Sequence, residues 1–182
     1  MRTFVSFGVL LSLVMLSSAC GQRESPSGSQ PKGEGAASPA KPAAVATPAA
    51  PAGPVLTDFK CDLVVKNVPS KIKPGSDSTR IQVQVTNKSS AKWPAFLPGR
   101  SAIQSVNIAY RWWQGNDMVG EGNRAVLPAD LGPGESVTVE LAVIAPTTPG
   151  TYTLRVEPVQ EAVAWFGDAG GCKFESEVRV EP

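Results

Sequence analysis

No histidine occurs among the 182 residues. That absence removes Ser-His and Cys-His nucleophile pairs, His-ligated zinc and imidazole acid/base catalysis. Methionine occurs three times, and Met1 and Met15 both fall in the first twenty residues, so a thioether metal carrier is not expected either. Charge of one sign is lacking as well. The chain has 17 Lys and Arg against 16 Asp and Glu, and nothing in that balance calls for a nucleic-acid partner. A membrane-spanning run is also missing: Phe4 to Leu16 is apolar but too short for roughly 30 Å of hydrocarbon, which takes about 20 residues. No residue pattern asks for a cofactor or a metal.

That short run belongs to an export signal, with a positive charge at Arg2 and small residues Ser17, Ser18 and Ala19 after it. Leu16-Ser17-Ser18-Ala19-Cys20 resembles the lipobox of bacterial lipoproteins. The resemblance implies that residues 1–19 are a lipoprotein signal peptide and that Cys20 is the lipid attachment site, carrying fatty chains such as palmitate. The protein would then work in the cell envelope, tethered to a membrane. Gly21 after the cysteine, in place of aspartate, implies the outer membrane if the cell is Gram-negative. Ser17 and Ala19 also fit a small-x-small signal-peptidase site, which would release a soluble protein.

Past Cys20 the composition changes. Of the 35 residues from Gly21 to Val55, 25 are Ala, Pro, Gly or Ser, and none is aromatic. Such a segment cannot bury enough apolar surface to offset the entropy of ordering it, so residues 20–55 are expected to form a lipidated N-terminus and a disordered linker. The linker reaches about 35 Å as a coil and about 100 Å if fully extended.

Residues 56–182 suit one domain. Ile81, Val83 and Val85 alternate with Arg80, Gln82, Gln84 and Thr86. The same period of two recurs in Val106, Ile108, Tyr110 and Trp112, in Val137, Val139, Leu141 and Val143, in Tyr152, Leu154 and Val156, and in Phe174, Val178 and Val180. Turn residues punctuate these runs at Pro74-Gly75, Gly115-Asn116-Asp117, Gly132-Pro133-Gly134, Pro149-Gly150 and Gly170-Gly171. The pattern predicts an all-β fold, an immunoglobulin-like antiparallel β-sandwich of about seven strands. Trp112 on a central strand and Tyr152 at the start of a late one fit its core tryptophan and its tyrosine corner. Val83 and Leu154 stand where its usual inter-sheet cysteines would fall.

With one cysteine assigned to lipid, two remain, Cys61 and Cys172. An oxidising compartment favours joining them, and two buried thiols are the alternative.

Several segments carry a family resemblance: Asn87-Lys88-Ser89-Ser90-Ala91-Lys92-Trp93-Pro94, Tyr110-Arg111-Trp112, Gly122-Asn123-Arg124, Pro149-Gly150-Thr151-Tyr152, and Glu161 through Phe166. Together they resemble the four-tryptophan immunoglobulin-like domains of autophagy receptors and the β-sandwich modules of bacterial surface-glycan proteins. The resemblance covers most of residues 80–170 and implies a fold more than an activity.

Trp112 and Trp113 are adjacent on one strand and must point to opposite faces, so one of them is left outside the core. Trp113, Arg124, Trp165 and Phe166 form the candidate binding surface, suited to stacking on sugars or anchoring a protein. In the blander reading, Trp93, Trp165 and Phe166 plug the ends of the sandwich. Glu157 and Glu161 are expected to cover a surface, and Gly167-Asp168-Ala169-Gly170-Gly171 to be a flexible connection. Ser70-Lys71-Ile72-Lys73 and Ser89-Ser90-Ala91-Lys92 match S-x-x-K but sit beside turns, outside the helix start that this chemistry needs. No catalytic residue is expected. The sequence predicts a non-catalytic protein-interaction or envelope-assembly module, or alternatively a carbohydrate-binding accessory lipoprotein, with a protein or glycan partner in the cell envelope.

Overall fold

The computed structural model describes residues 52–77 and 79–182, which contain strands and turns and no helix. Cys20, the signal segment and the linker up to residue 51 lie outside the described residues. Seven strands of six residues or more form the sandwich: β1 (Cys61–Lys66), β3 (Thr79–Asn87), β4 (Val106–Gln114), β5 (Asp117–Val126), β6 (Ser136–Val143), β7 (Gly150–Gln160) and β9 (Phe174–Val180). Two short pieces complete it, β2 (Lys71–Ile72) and β8 (Ala164–Trp165).

One sheet runs β1-β3-β6, and the other runs β2-β9-β7-β4-β5 with β8 added to β7. All pairings are antiparallel except β2 with β9. This is the immunoglobulin-like arrangement that the alternation predicts, because each run of period two turns its apolar members toward the facing sheet. Ile81, Val83 and Val85 of β3 pack in one core with Ile108, Tyr110 and Trp112 of β4, Leu141 and Val143 of β6, and Leu154 and Val156 of β7. Val83 and Leu154 are both fully buried, so aliphatic packing occupies the usual inter-sheet disulfide site. At the corner before β7, the Tyr152 hydroxyl donates to the Thr148 carbonyl at 2.9 Å.

β5 follows no clean alternation and is absent from the sequence prediction. It contains Gly120 and Gly122, and its pairing with β4 slips between Ala109 and Arg111 and again between Trp112 and Trp113. Gly122 is required where it stands, since a Cβ there would collide with the Tyr110 ring.

Cys61 and Cys172 are joined, with Cα atoms 5.2 Å apart. Cys172 lies in the turn before β9, and β1 and β9 belong to different sheets. The bridge therefore ties one sheet to the other. Closing a loop of 111 residues contributes about 4 to 5 kcal/mol in the chain-entropy account.

Candidate functional site: an arginine–tryptophan ladder

β4 is buried along Val106–Trp112 on both of its faces. Its inward residues enter the core. Its outward residues, Asn107, Ala109, Arg111 and Trp113, are covered by a different construction, built from β7, β5 and the connection between β7 and β9.

Register sets the first contacts. Arg111 lies directly across from Arg155 of β7, Ala109 across from Glu157 of β7, and Ala109 also across from Arg124 of β5. Trp165, on β8, is brought onto the same face by its pairing with Val159. The side chains interleave in the order Arg155, Trp113, Arg111, Trp165, Arg124. Arg155 lies 4.4 Å from the centroid of Trp113, and Arg111 lies 5.6 Å from that same ring. Arg111 also lies 4.3 Å from the centroid of Trp165, and Arg124 lies 5.0 Å from it. Each contact of this kind contributes about 0.5 to 2 kcal/mol, more as the cation is desolvated.

Stacking alone would leave three cations crowded on one face, two of them in direct cross-strand register. Carboxylates resolve this. Arg111, only 6% exposed, donates through Nε and Nη2 to Glu157 Oε1 at 3.1 and 2.6 Å, and through Nη1 and Nη2 to Asp168 at 2.7 and 2.9 Å. Asp168 also reaches Arg155 at 3.6 Å, so one carboxylate sits between the two facing arginines. Arg155 donates to Glu175 at 2.7 Å, and Arg124 donates to Glu161 at 3.0 Å and to the Gly122 carbonyl at 2.7 Å. The second oxygen of Glu157 accepts from the Gly167 backbone at 2.7 Å.

The titration of these groups follows from that geometry. Burial pulls the Arg111 guanidinium down, but its hydrogen bonds to Asp168 and Glu157 outweigh burial and hold it above the ordinary arginine value. The Arg111 hydrogen bonds in turn hold the Asp168 carboxyl below the usual carboxylate range, against a smaller desolvation cost. Glu175 is also held low: its burial acts upward, and Arg155 overrides it.

Of the four residues of the candidate surface, the structure brings Trp113, Arg124 and Trp165 onto one face and separates Phe166 from them. Phe166 is fully buried and meets Phe59 and Trp93 edge to face, each with ring centroids 5.0 Å apart. It belongs to the core because neighbours on an extended segment point to opposite sides, and Trp165 takes the outward one. Trp93 and Phe166 thus close one end of the sandwich, whereas Trp165 does not. Trp93 is positioned by Asn87, whose side chain donates to the Ala91 and Leu131 carbonyls at 2.9 and 2.8 Å and accepts from Ser89. The Ser89 hydroxyl accepts from the Trp93 indole at 3.0 Å.

Two further expectations need correcting. Glu157 covers no surface: it is fully buried, because Arg111 and the Gly167 amide satisfy it. The run from Gly167 to Gly171 is a built turn that holds Asp168 over Arg111. Its backbone is tied by Ala169 and Gly171 amides donating to the Phe166 carbonyl, and a Cβ on Gly171 would strike the backbone of Phe59. Arg111, Arg155 and Asp168 are the residues that sequence reasoning missed. Period two puts Arg111 on the face of Trp113 and Arg155 on the face of Glu157, but their meeting depends on the register of β4 with β7, and Asp168 lies outside any strand.

Neither a family model nor a curated protein matches this sequence. Among solved structures, the chain is similar to Spo0M, a sporulation control protein from Bacillus subtilis, at 11% identity and a TM-score of 0.39. The similarity covers 68% of this chain and 49% of that one, so the chain spans about half of the Spo0M length.

Proposed function

We propose that the protein is a lipoprotein of the cell envelope, held to a membrane through acylated Cys20, whose immunoglobulin-like domain is a non-catalytic protein-interaction or envelope-assembly module. The observation that carries this reading is the Cys61–Cys172 bridge between the sheets. Disulfides of this kind form and persist outside the reducing cytoplasm, which agrees with the export signal that precedes the domain.

The ladder supports an interaction module over a sugar-binding one. Each indole already has two guanidinium groups within 5.6 Å of its ring centroid, so a sugar stacking there would compete with arginine for the ring. A rigid face of tryptophan and arginine suits a protein contact, where those residues dominate binding energy and pre-ordering lowers its entropic cost. The deeply buried charges of the face, Arg111 and Glu157, are bonded to each other, as a scaffold requires.

Growth of the producing cell with an alkyne-bearing palmitate analogue, followed by intact-mass measurement, tests the anchor. The proposal predicts a mature chain beginning at Cys20 with fatty chains attached, and loss of the label in Cys20→Ser. An unmodified chain beginning at Cys20 or Gly21 would leave a secreted soluble protein in its place.

A further inference from the structure

Four of the exposed large apolar residues, Val55, Phe96, Ile103 and Val163, belong to segments bonded to the end of β7 or the start of β4, where the chain from residue 52 joins the sandwich. One buried side chain explains why three of them sit together. Gln160, at the end of β7, is fully buried. Its amide nitrogen donates to the Pro54 carbonyl at 2.7 Å and to the Gln104 carbonyl at 2.8 Å, and its oxygen accepts from the Leu56 amide at 2.9 Å. Val55 lies between two of these partners and Ile103 is next to the third. The Gln160 backbone carbonyl accepts from Val163, and the Gln104 amide donates to the Glu161 carbonyl. The incoming chain, the loop between β3 and β4 and the turn after β7 are thereby fixed around one point, each presenting an apolar side chain outward.

Phe96 extends the patch. Ala52, Gly53 and Pro54 share a cleft of about 280 Å³ with Pro94, Ala95, Lys92 and Arg100, and Phe96 follows directly on that wall. The stretch from Lys88 to Ser105 contains Lys88, Lys92 and Arg100 and no acidic residue. Asp62 pairs with Lys88 at 3.4 Å, and Asp130 pairs with Arg100 at 2.6 Å and with Lys92 at 3.9 Å, so Lys92 and Arg100 share one carboxylate and keep a net positive charge between them.

We infer that this end of the domain rests on the lipid bilayer, with Phe96 and Ile103 inserted at the headgroup boundary and Lys92 and Arg100 beside them. The inference rests on the acylation of Cys20. If Cys20 is anchored, the 31 residues from Gly21 to Pro51 span about 30 Å as the coil that their composition predicts. A tether of that length keeps the end of the sandwich to which it is attached nearer the membrane, on average, than the opposite end. Tethering makes the second contact intramolecular, so a patch too small to bind lipid by itself suffices. Apolar side chains rimmed by Lys and Arg are the composition that settles at an interface. The hairpin between β4 and β5 lies at the opposite end and faces away from the bilayer.

The test uses the full-length protein as the producing cell matures it, mixed with vesicles of phosphatidylethanolamine and phosphatidylglycerol, with and without brominated acyl chains. Ile103→Trp places a reporter on the patch, and Val64→Trp places one on the exposed face of β1 as control. Both positions are exposed, so neither change disturbs the core. The emission added at position 103 is expected to shift to the blue and to fall roughly twofold with brominated lipid, while position 64 stays unquenched. Protein that floats with the vesicles but shows no quenching at position 103 overturns the inference and leaves the anchor intact, freeing the patch for a protein partner. Protein that fails to float overturns the anchor and the inference together.

Discussion

The inner and outer faces of β4 are covered to a similar degree by different physics. Inward, Ile108, Tyr110 and Trp112 meet a core in which apolar transfer provides the stability. Outward, Arg111 is as inaccessible as Trp112, yet it is held by two carboxylates and by contact with two indoles. The two tryptophans show the contrast at neighbouring positions. The Trp112 indole donates to the Ile144 carbonyl at 2.8 Å, whereas the Trp113 indole nitrogen is buried with no hydrogen-bond partner among the described residues and its ring lies against arginine. A sheet face can thus be closed without a third layer, provided every charge brought in has its counter-charge in place.

Substitutions ranked by expected effect separate the two faces. Trp112→Ala removes a core aromatic and is expected to cost about 4 kcal/mol in denaturant unfolding. Glu157→Ala leaves Arg111 buried with only Asp168 to answer it, at an expected cost of about 3 kcal/mol. Replacing both partners, as Arg111→Met with Glu157→Leu, is expected to recover most of that loss, since a buried ion pair and an apolar pair of similar volume are often close in stability. If the double variant were as unstable as Glu157→Ala, the pair would be holding the fold by more than its own balance of charge.

Trp113→Ala is expected to cost about 1 to 2 kcal/mol, the value of a half-buried ring and its two guanidinium contacts. A loss matching that of Trp112→Ala would erase the distinction between the faces.

Acid titration gives the smallest and most specific effect. Asp168 and Glu175 have carboxyls held below their ordinary range in the folded protein. Groups of this sign contribute stability that is present above the unfolded value of about 4 and is lost as the pH falls through the folded one. The melting temperature should therefore drop on acidification below about pH 4, and Asp168→Asn should flatten part of that slope.

The inner face was legible because period two leaves a clear trace: Ile81, Val83 and Val85, or Tyr152, Leu154 and Val156, read directly as core. The outer face was only half legible. Trp113, Arg124 and Trp165 stand out as candidate binding residues by type, but Arg111 and Arg155 alternate with apolar neighbours and look like any solvated strand face. Only the cross-strand register of β4 with β7 shows that they stack. Phe166 reads equally as surface or as plug in the sequence, and only its contacts with Phe59 and Trp93 place it in the core. Gln160 gave no signal, since its partners Pro54 and Gln104 lie 106 and 56 residues away. Asp168 was hidden in a glycine-rich run, in which Gly171 serves a close approach to Phe59 and Gly167 one to Glu157.

The measurement that bears most directly on the ladder is a double-mutant cycle between Arg155 and Trp113, read by equilibrium unfolding of Arg155→Met, Trp113→Leu and the pair. Contact between guanidinium and indole predicts a coupling of about 1 kcal/mol. Additive losses, with a coupling no larger than about 0.3 kcal/mol, would contradict it and reduce the outer face of β4 to a set of independent ion pairs.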